Sequence, residues 1–310
     1  MSAKVKEPVI ILGADPELFV YDTKKEKLST AIAFFPGGKR KGERLAQIPG
    51  ASVLHDNVAV EFNCRPYSTA DDFVDGMGSI LSNIQKLLAE RATEHHKLVC
   101  NVGSAIFDSR LLRHKDAKTF GCEPDINAWS SMRNAPPQPH EVGNLRVIGG
   151  HLHIGMRGAN GVVDSLLRSF TGSCALVKLL DATLGQYIAY LESKSPAKQT
   201  FIDRRAWYGA AGSMRKKPYG VEYRTPSAIW LESRESIERV FNITAGVMAA
   251  VAEESTDDAE AVVHKVTREG NTHPLYTKLL DEANLCDADV VNSVNLSAPQ
   301  KGLLDYALSF

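Results

Sequence analysis

Four short segments of the chain carry acidic, histidine and arginine side chains at alternating positions. They are GADPELFVY (13–21), HDNVAVEFN (55–63), GGHLHIG (149–155) and GVEYRTPS (220–227). Alternation of polar and apolar residues is typical of a β-strand, on which every second side chain points to the same face. The segments therefore predict a sheet with one face rich in carboxylates and imidazoles. Such a face suits divalent cations and the phosphates that accompany them.

The first two segments supply acids. Asp15 and Glu17 share one face of their strand, and Glu61 shares a face with Ala59 and Asn63. Two carboxylates on one face repel each other unless a cation lies between them. A buried Glu61 would need a partner, a metal ion or a raised pKa. The alternative in both cases is a solvated strand face with ordinary exposed acids.

The third segment supplies imidazoles. His151 and His153 lie on one face of the predicted strand, and flanking glycines allow a ligand or another backbone to approach closely. A neutral imidazole can coordinate a cation, and a protonated one can donate to phosphate. The alternative is a pair of structural histidines.

The fourth segment supplies a cation next to an acid. Glu222 and Arg224 share a face, and the planar fork of an arginine suits carboxylate or phosphate. The alternative is an ordinary salt bridge. Upstream, basic residues surround the small-residue segment YGAAG, whose backbone N–H groups could cradle phosphate. These residues are Arg204, Arg205, Arg215, Lys216 and Lys217. No Walker sequence follows, and a solvated basic loop is the alternative.

Composition excludes several classes of protein. The chain has 310 residues and a formal net charge of -1, which gives no bulk attraction to nucleic acid or to anionic membranes. Its five cysteines form no CxxC pair, so neither a disulfide framework nor a thiolate zinc site is expected, and a reducing compartment is favoured. The apolar run near the N-terminus is too short for a signal peptide or a membrane span. We therefore expect a cytoplasmic protein.

The intervening sequence predicts the elements that position these side chains. Apolar residues at helical spacing follow a possible cap at Ser68 or Thr69 and predict a helix with one buried stripe. A long helix is expected over about 162–191, with a bend near Gly172, and another over 233–254. Strands are expected at 9–22, 28–35, 58–64, 97–102, 147–156 and 221–225. No linker is evident, so we expect one domain over 1–310, with a motif core at about 11–232 and a helical part at 233–310.

Taken together, the motifs resemble the glutamine synthetase-like carboxylate-amine ligases, in particular their phage COOH-NH2 ligase (type 2) branch. Asp15-Pro16-Glu17 is similar to the Glu-Pro-Glu of glutamine synthetases, His151 and His153 to their HxH, and Glu222 and Arg224 to their ExR. The segments YGAAG-x-x-R and GCEPDINAW also resemble the phage branch.

The resemblance implies an α+β fold with a curved, mainly antiparallel sheet and helices packed on its outer face. It also implies an ATP-dependent ligase that forms an amide or peptide bond through an acyl phosphate. Its substrates would be small-molecule, peptide or protein-tail carboxylates and amines, and a phage-encoded enzyme would act in the host cytoplasm. Nucleic-acid and membrane partners are not implied.

The resemblance also implies roles for individual residues. One Mg²⁺ (or Mn²⁺) beside the ATP phosphates would be held by Asp15, His151 and Glu222, and a second by Glu17 and Glu61. ATP contacts are implied for His153, Arg205, Arg215 and Arg224. The implied catalytic residues are Glu61, Arg215 and Arg224.

Two departures limit what the resemblance implies. Asp15 stands in place of a longer glutamate, and the chain is much shorter than a glutamine synthetase, so neither an ammonia site nor a ring oligomer is implied. Two other functions stay open at this point. One is a zinc-dependent hydrolase that uses the HxH pair, and the other is a catalytically idle structural relative.

Overall fold

The computed structural model describes residues 9–37, 42–119, 125–135, 138–158 and 167–253. Its strands are β1 Val9–Asp22, β2 Lys27–Ser29, β3 Glu43–Arg44, β4 Ser52–Asp56, β5 Ala59–Asn63, β6 His96–Val99, β7 Ser104–Ile106, β8 Ile126–Asn127, β9 Leu145–Val147, β10 Gly150–Arg157, β11 Ser213–Lys217 and β12 Gly220–Tyr223. Its helices are α1 Ala70–Arg91, α2 Pro139–Val142, α3 Phe170–Leu180, α4 Gln186–Lys194, α5 Lys198–Arg205 and α6 Arg234–Glu253.

A large antiparallel sheet carries the four motifs on neighbouring strands. Its strand order is β3-β4-β5-β1-β10-β12-β11-β8, and β2 and β6 pair with the C-terminal part of β1. The register places Asp15 opposite His151, and Glu17 opposite Glu61. Because directly opposed residues share a face, the polar side chains of all four motifs lie on one side of the sheet. This confirms the predicted α+β fold with a curved, mainly antiparallel sheet.

The other face of the sheet packs against helices. Leu18, Val60 and Leu152 alternate with the polar site residues and are buried in the main hydrophobic core with side chains of α1, α3 and α6. In α1, the Thr69 side chain accepts a hydrogen bond from the Asp72 N–H and caps the helix as predicted. Its predicted apolar stripe is buried, at Phe73, Met77, Ile80, Ile84 and Leu88.

Two predicted elements differ from the structure. The strand expected at 28–35 ends at Ser29, because the Thr30 side chain caps a 3₁₀ turn at Ala31–Ala33. The long helix expected over 162–191 is interrupted at Ser169, close to the bend expected near Gly172, and the Ser169 side chain accepts a hydrogen bond from the Gly172 N–H. Residues 162–166 of this prediction lie outside the described residues. A π-helical turn at Asp181–Gly185 joins α3 to α4, where the Asp181 carboxylate accepts a hydrogen bond from the Tyr223 hydroxyl at 2.7 Å.

The C-terminal helical prediction is tested only in part. Helix α6 covers Arg234–Glu253, and residues 254–310 lie outside the described residues. The assignment of 1–310 to one domain stays a prediction. Within the described part of the chain, no helix combines the length and the apolar character needed to cross a membrane.

Two glycines of α1 should respond in opposite ways to replacement by alanine. At Gly78 an added Cβ meets no atom within 4 Å, so Gly78→Ala should raise the free energy of unfolding by about 0.5–1 kcal/mol. At Gly76 the added Cβ would lie 2.2 Å from the Oη of buried Tyr67, so Gly76→Ala should lower it. Urea unfolding of both variants checks this. Equal effects of the two changes would contradict the packing described for α1.

Candidate active site

A first cluster of possible cation ligands joins three strands. Ligand atoms of Asp15, His153 and Glu222 all lie within 4.8 Å of one another. The Nε2 atom of His153 is 3.0 Å from Oδ1 of Asp15, and Glu222 is fully buried. On its other ring nitrogen, Nδ1, His153 shares a hydrogen bond with the Tyr219 hydroxyl, which holds Nε2 towards Asp15.

A second cluster consists of carboxylates alone. Oxygen atoms of Glu17, Asp56 and Glu61 lie within 4.8 Å of one another. Asp56 was not singled out from the sequence, although it lies in the HDNVAVEFN segment. It joins the face of Glu61 because a two-residue turn at Asn57, whose φ is 51°, pairs Asp56 with Ala59. If the two-residue turn is assumed, strand alternation places Asp56 opposite Ala59, on the face of Glu61, so the sequence could have identified Asp56.

Burial and repulsion perturb the acids of the second cluster. Burial, followed by the charge of Asp56, raises the pKa of Glu17 to about 8, although the Gly149 N–H donates to Glu17 at 2.7 Å. Burial and the charges of Asp15 and Glu17 raise the pKa of Glu61 well above its usual value. A cation between these oxygens would relieve the repulsion. An all-oxygen donor set fits Mg²⁺ or Mn²⁺.

Both histidines lie at the first cluster. The Nδ1 atom of His151, which was predicted as a cation ligand, is 3.5 Å from Asp15 Oδ1 and 4.0 Å from Glu222 Oε1. His153, which was predicted as a phosphate contact, also contributes a ligand atom to this cluster. The Nε2 atom of His151 is 2.9 Å from the Tyr208 hydroxyl. Burial and the charge of Arg224 lower the pKa of His151, which favours its neutral form. The cation set of Asp15, His151 and Glu222 therefore stays a prediction.

Three cations surround the carboxylate of Glu222. Buried Arg224 pairs with it, Arg215 lies 3.2 Å away, and the Lys217 ammonium lies 2.7 Å away. Burial is the largest single effect and opposes the charge on Glu222, but the charge of Arg224 and the hydrogen bond from Lys217 help to outweigh it, and the pKa of Glu222 is lowered. The three cations therefore converge on one carboxylate of the first cluster. Such a site suits an anionic group.

Arg224 also links segments that the sequence did not connect. Its guanidinium donates to the Tyr208 hydroxyl, and its Nε atom is 3.5 Å from Oδ1 of Asp125. Tyr208 lies within the YGAAG segment and Asp125 within the GCEPDINAW segment. A tyrosine and an aspartate in loop segments gave no indication from the sequence that they contact Arg224.

Arg205 lies apart from both clusters. Its guanidinium pairs with buried Glu192 of α4, so its predicted ATP contact stays a prediction. The neighbouring Arg204 is fully buried and donates to the backbone carbonyls of Ile148, Thr225 and Pro226. Arg204 therefore fixes the backbone that follows β12 and the residue before Gly149.

Two cavities adjoin the clusters. One, of about 690 Å³, has His153 on its wall and is otherwise mainly apolar, with Ile11, Pro66, Met156, Leu167 and Tyr219 among its lining residues. The other, of about 750 Å³, has Asp56 on its wall. They share no lining residue, so each cluster has its own adjoining cavity.

The sheet thus carries two clusters of possible cation ligands on one face, with two arginines next to the first cluster. Residues 144–269 match the family model described as Phage phiEco32-like COOH.NH2 ligase-type 2. This match confirms, over that part of the chain, the family indicated by the motifs, and it indicates an enzyme of the ligase type. The matched part includes His151, His153, Arg215, Glu222 and Arg224. No curated protein matches the chain.

Proposed function

We propose that the protein is an ATP-dependent carboxylate-amine ligase that forms an amide or peptide bond through an acyl phosphate. The observation that carries this proposal is that strand β1 contributes one residue to each of the two clusters of possible cation ligands. Asp15 belongs to one cluster and Glu17, two residues later, to the other. Two adjacent cations beside arginines suit phosphoryl transfer, in which charge neutralisation and positioning are the main catalytic effects.

Each group of residues then has a distinct role. The first cluster, with Arg215 and Arg224, would hold Mg²⁺ and the ATP phosphates, and the arginines would neutralise the charge of the phosphoryl group. The second cluster, with Glu61, would hold a cation near the donor carboxylate. When bound, ATP supplies the phosphoryl group that activates this carboxylate. The mainly apolar cavity beside His153 would take the base of the nucleotide.

No enzyme nucleophile is required. Cys64 lies close to the first cluster in the cavity wall, but burial raises its pKa to about 12 and the Ala14 N–H donates to its sulfur. The thiol form is a poor nucleophile. The donor and acceptor would be carried by small molecules, peptides or protein tails.

The zinc hydrolase alternative has less support. Zinc sites of hydrolases use several imidazole ligands. Of the two clusters found among the described residues, the second contains no histidine, and at the first the Nε2 atom of His151 faces Tyr208. The experiment below distinguishes the ligase from the other alternative, a catalytically idle structural relative.

ATP with Mg²⁺ should raise the melting temperature of the wild type by about 5 °C or more at saturation. Glu61→Gln should lose this shift without a lower melting temperature in the absence of ligand, because the half-buried Glu61 carboxyl lies among like charges. Asp75→Asn is the matched control, since Asp75 is an exposed acid paired with Arg234. Differential scanning fluorimetry measures all three proteins. No shift in the wild type with Mg²⁺ or Mn²⁺ would overturn the ligase proposal and favour the idle relative.

A further inference from the structure

The cavity beside the second cluster is large enough for a whole substrate. Its volume is about 750 Å³, and Asp56 belongs both to its wall and to the carboxylate cluster. Cavities that bind small molecules span about 300–1,000 Å³. Ammonium is about the size of water, which occupies about 30 Å³ in the liquid. The cavity therefore fits a molecule of amino-acid size or larger better than it fits ammonia.

A carboxylate on the cavity wall is held in a fixed orientation. Asp116 Oδ2 is 3.1 Å from Nε2 of His55 and 3.7 Å from Nδ1 of His114. His55 is itself buried, and its Nδ1 is 2.7 Å from the carbonyl oxygen of Phe35. The hydrogen bond from His55 lowers the pKa of Asp116, so this carboxylate stays ionised. Within the described part of the chain, Oδ1 of Asp116 has no hydrogen-bond partner.

The polar groups of the wall favour an α-amino compound. An ionised carboxylate with a free oxygen forms a strong, charge-assisted hydrogen bond with an ammonium group. Lys115 also lines the cavity and supplies a donor for a carbonyl or carboxylate oxygen. An amino acid or the N-terminus of a peptide carries both groups close together. Ammonia carries only the first.

We propose that this cavity binds the amine substrate of the ligase, and that this amine is an amino acid or a peptide N-terminus whose ammonium group is bound by Asp116. The inference rests on the proposed ligase function. It adds the substrate class and the residue that recognises it. Since Asp56 joins the cavity to the second cluster, the bound amine would lie next to the site where the activated carboxylate forms.

Isothermal titration without ATP tests the cavity by itself. The probes are L-alaninamide, N-acetyl-L-alaninamide, which lacks the free amine, and ammonium chloride. L-Alaninamide should bind the wild type at least tenfold more tightly than either of the others. Asp116→Asn should weaken L-alaninamide binding at least tenfold, and Asp116→Glu, which keeps the charge, should restore most of it. Asp108→Asn is the control, because Asp108 is an exposed acid paired with Arg110 and does not line the cavity.

Three results would overturn the inference: equal binding of L-alaninamide to wild type and Asp116→Asn, equal binding of the acetylated probe, or binding of ammonium as tight as that of L-alaninamide. The ATP-dependent melting shift, measured on the same proteins, separates this inference from the ligase proposal. Asp116→Asn should keep the full ATP shift, which also shows that it is folded. An ATP shift without amine binding rejects the cavity assignment alone, whereas amine binding without an ATP shift rejects the ligase.

Discussion

Replacement of Arg224 by alanine should lower the free energy of unfolding by about 3 kcal/mol and weaken ATP binding at least tenfold. Arg224 is 3% exposed and pairs with Glu222, which is fully buried, so the variant leaves a buried carboxylate without its main partner. Removal of one partner of a buried pair costs about 3–5 kcal/mol. Arg215 and Lys217 still contact Glu222, which places the expected cost at the lower end of that range.

A double variant separates the structural effect from the effect on ATP. In Arg224→Met with Glu222→Gln, neither charge of the pair remains, so the free energy of unfolding should recover most of its wild-type value. Glu222 is itself a possible cation ligand of the first cluster, so the double variant is compared with Glu222→Gln alone. The double variant should bind ATP more weakly than Glu222→Gln, because the cation next to the phosphates is also missing. Urea unfolding and ATP titration in the presence of Mg²⁺ measure the two quantities.

The surface pair of Arg234 and Asp75 provides the control for this experiment. Both side chains are 67% exposed, so Arg234→Ala should change the free energy of unfolding by less than about 1 kcal/mol and leave ATP binding unaltered. If the double variant binds ATP as tightly as Glu222→Gln alone, Arg224 serves only to balance Glu222, and the proposed role in neutralising phosphate is wrong.

The sequence predicted which strand face each site residue occupies, because alternation is a local property. It placed Asp15 with Glu17, and His151 with His153, on common faces, and the structure has them so. It could not predict register between strands that are far apart in the chain. How closely each histidine approaches Asp15 depends on that register, since β1 pairs Asp15 with His151 while the ring of His153 reaches Asp15 across the pleat.

Arginines in the basic segment show a second limit of sequence reasoning. Arg204 and Arg205 are neighbours in the basic segment, and an ATP contact was implied for Arg205. Successive residues of a helix point about 100° apart. Arg204 therefore points into the protein, where it bonds three carbonyls, while Arg205 pairs with Glu192. The direction in which a helix packs is a tertiary property, and the type of residue does not reveal it.

Without a divalent cation, the protein should become less stable as pH rises from 6.5 to 8. The pKa of Glu17 in the folded protein is about 8, against 4.5 as its ordinary value. In this interval the folded state holds a proton that the unfolded chain has released. A raised carboxyl pKa contributes stability that is complete below pH 4.5 and is lost as pH rises through 8. The expected slope is about 1.4 kcal/mol per pH unit for one proton.

The interval is chosen so that histidines contribute little. The pKa of His151 is lowered by burial, so its contribution to stability has the opposite sign, but that contribution is confined to pH values below the ordinary pKa of 6.5. Glu61, whose pKa is also raised, titrates together with Glu17, and the pair should therefore give a slope of at least one proton. Urea unfolding in EDTA at three pH values between 6.5 and 8 measures this slope.

Replacing both Glu17 and Glu61 by glutamine should remove most of the slope. Saturating Mg²⁺ should abolish the wild-type slope, because the cation holds the carboxylates ionised in the folded state, and the stabilisation that it adds is therefore largest at pH 8. Glu43→Gln is the control. Glu43 pairs with Arg91 at the surface and its pKa is lowered, so it is ionised in both states throughout the interval. A slope that survives in the variant lacking both Glu17 and Glu61 would mean that another group holds the proton. Cation binding to the Glu17–Asp56–Glu61 cluster must displace protons in this pH range, because the pKa values of Glu17 and Glu61 are raised. A stabilisation by Mg²⁺ that is independent of pH would therefore place the cation away from this cluster.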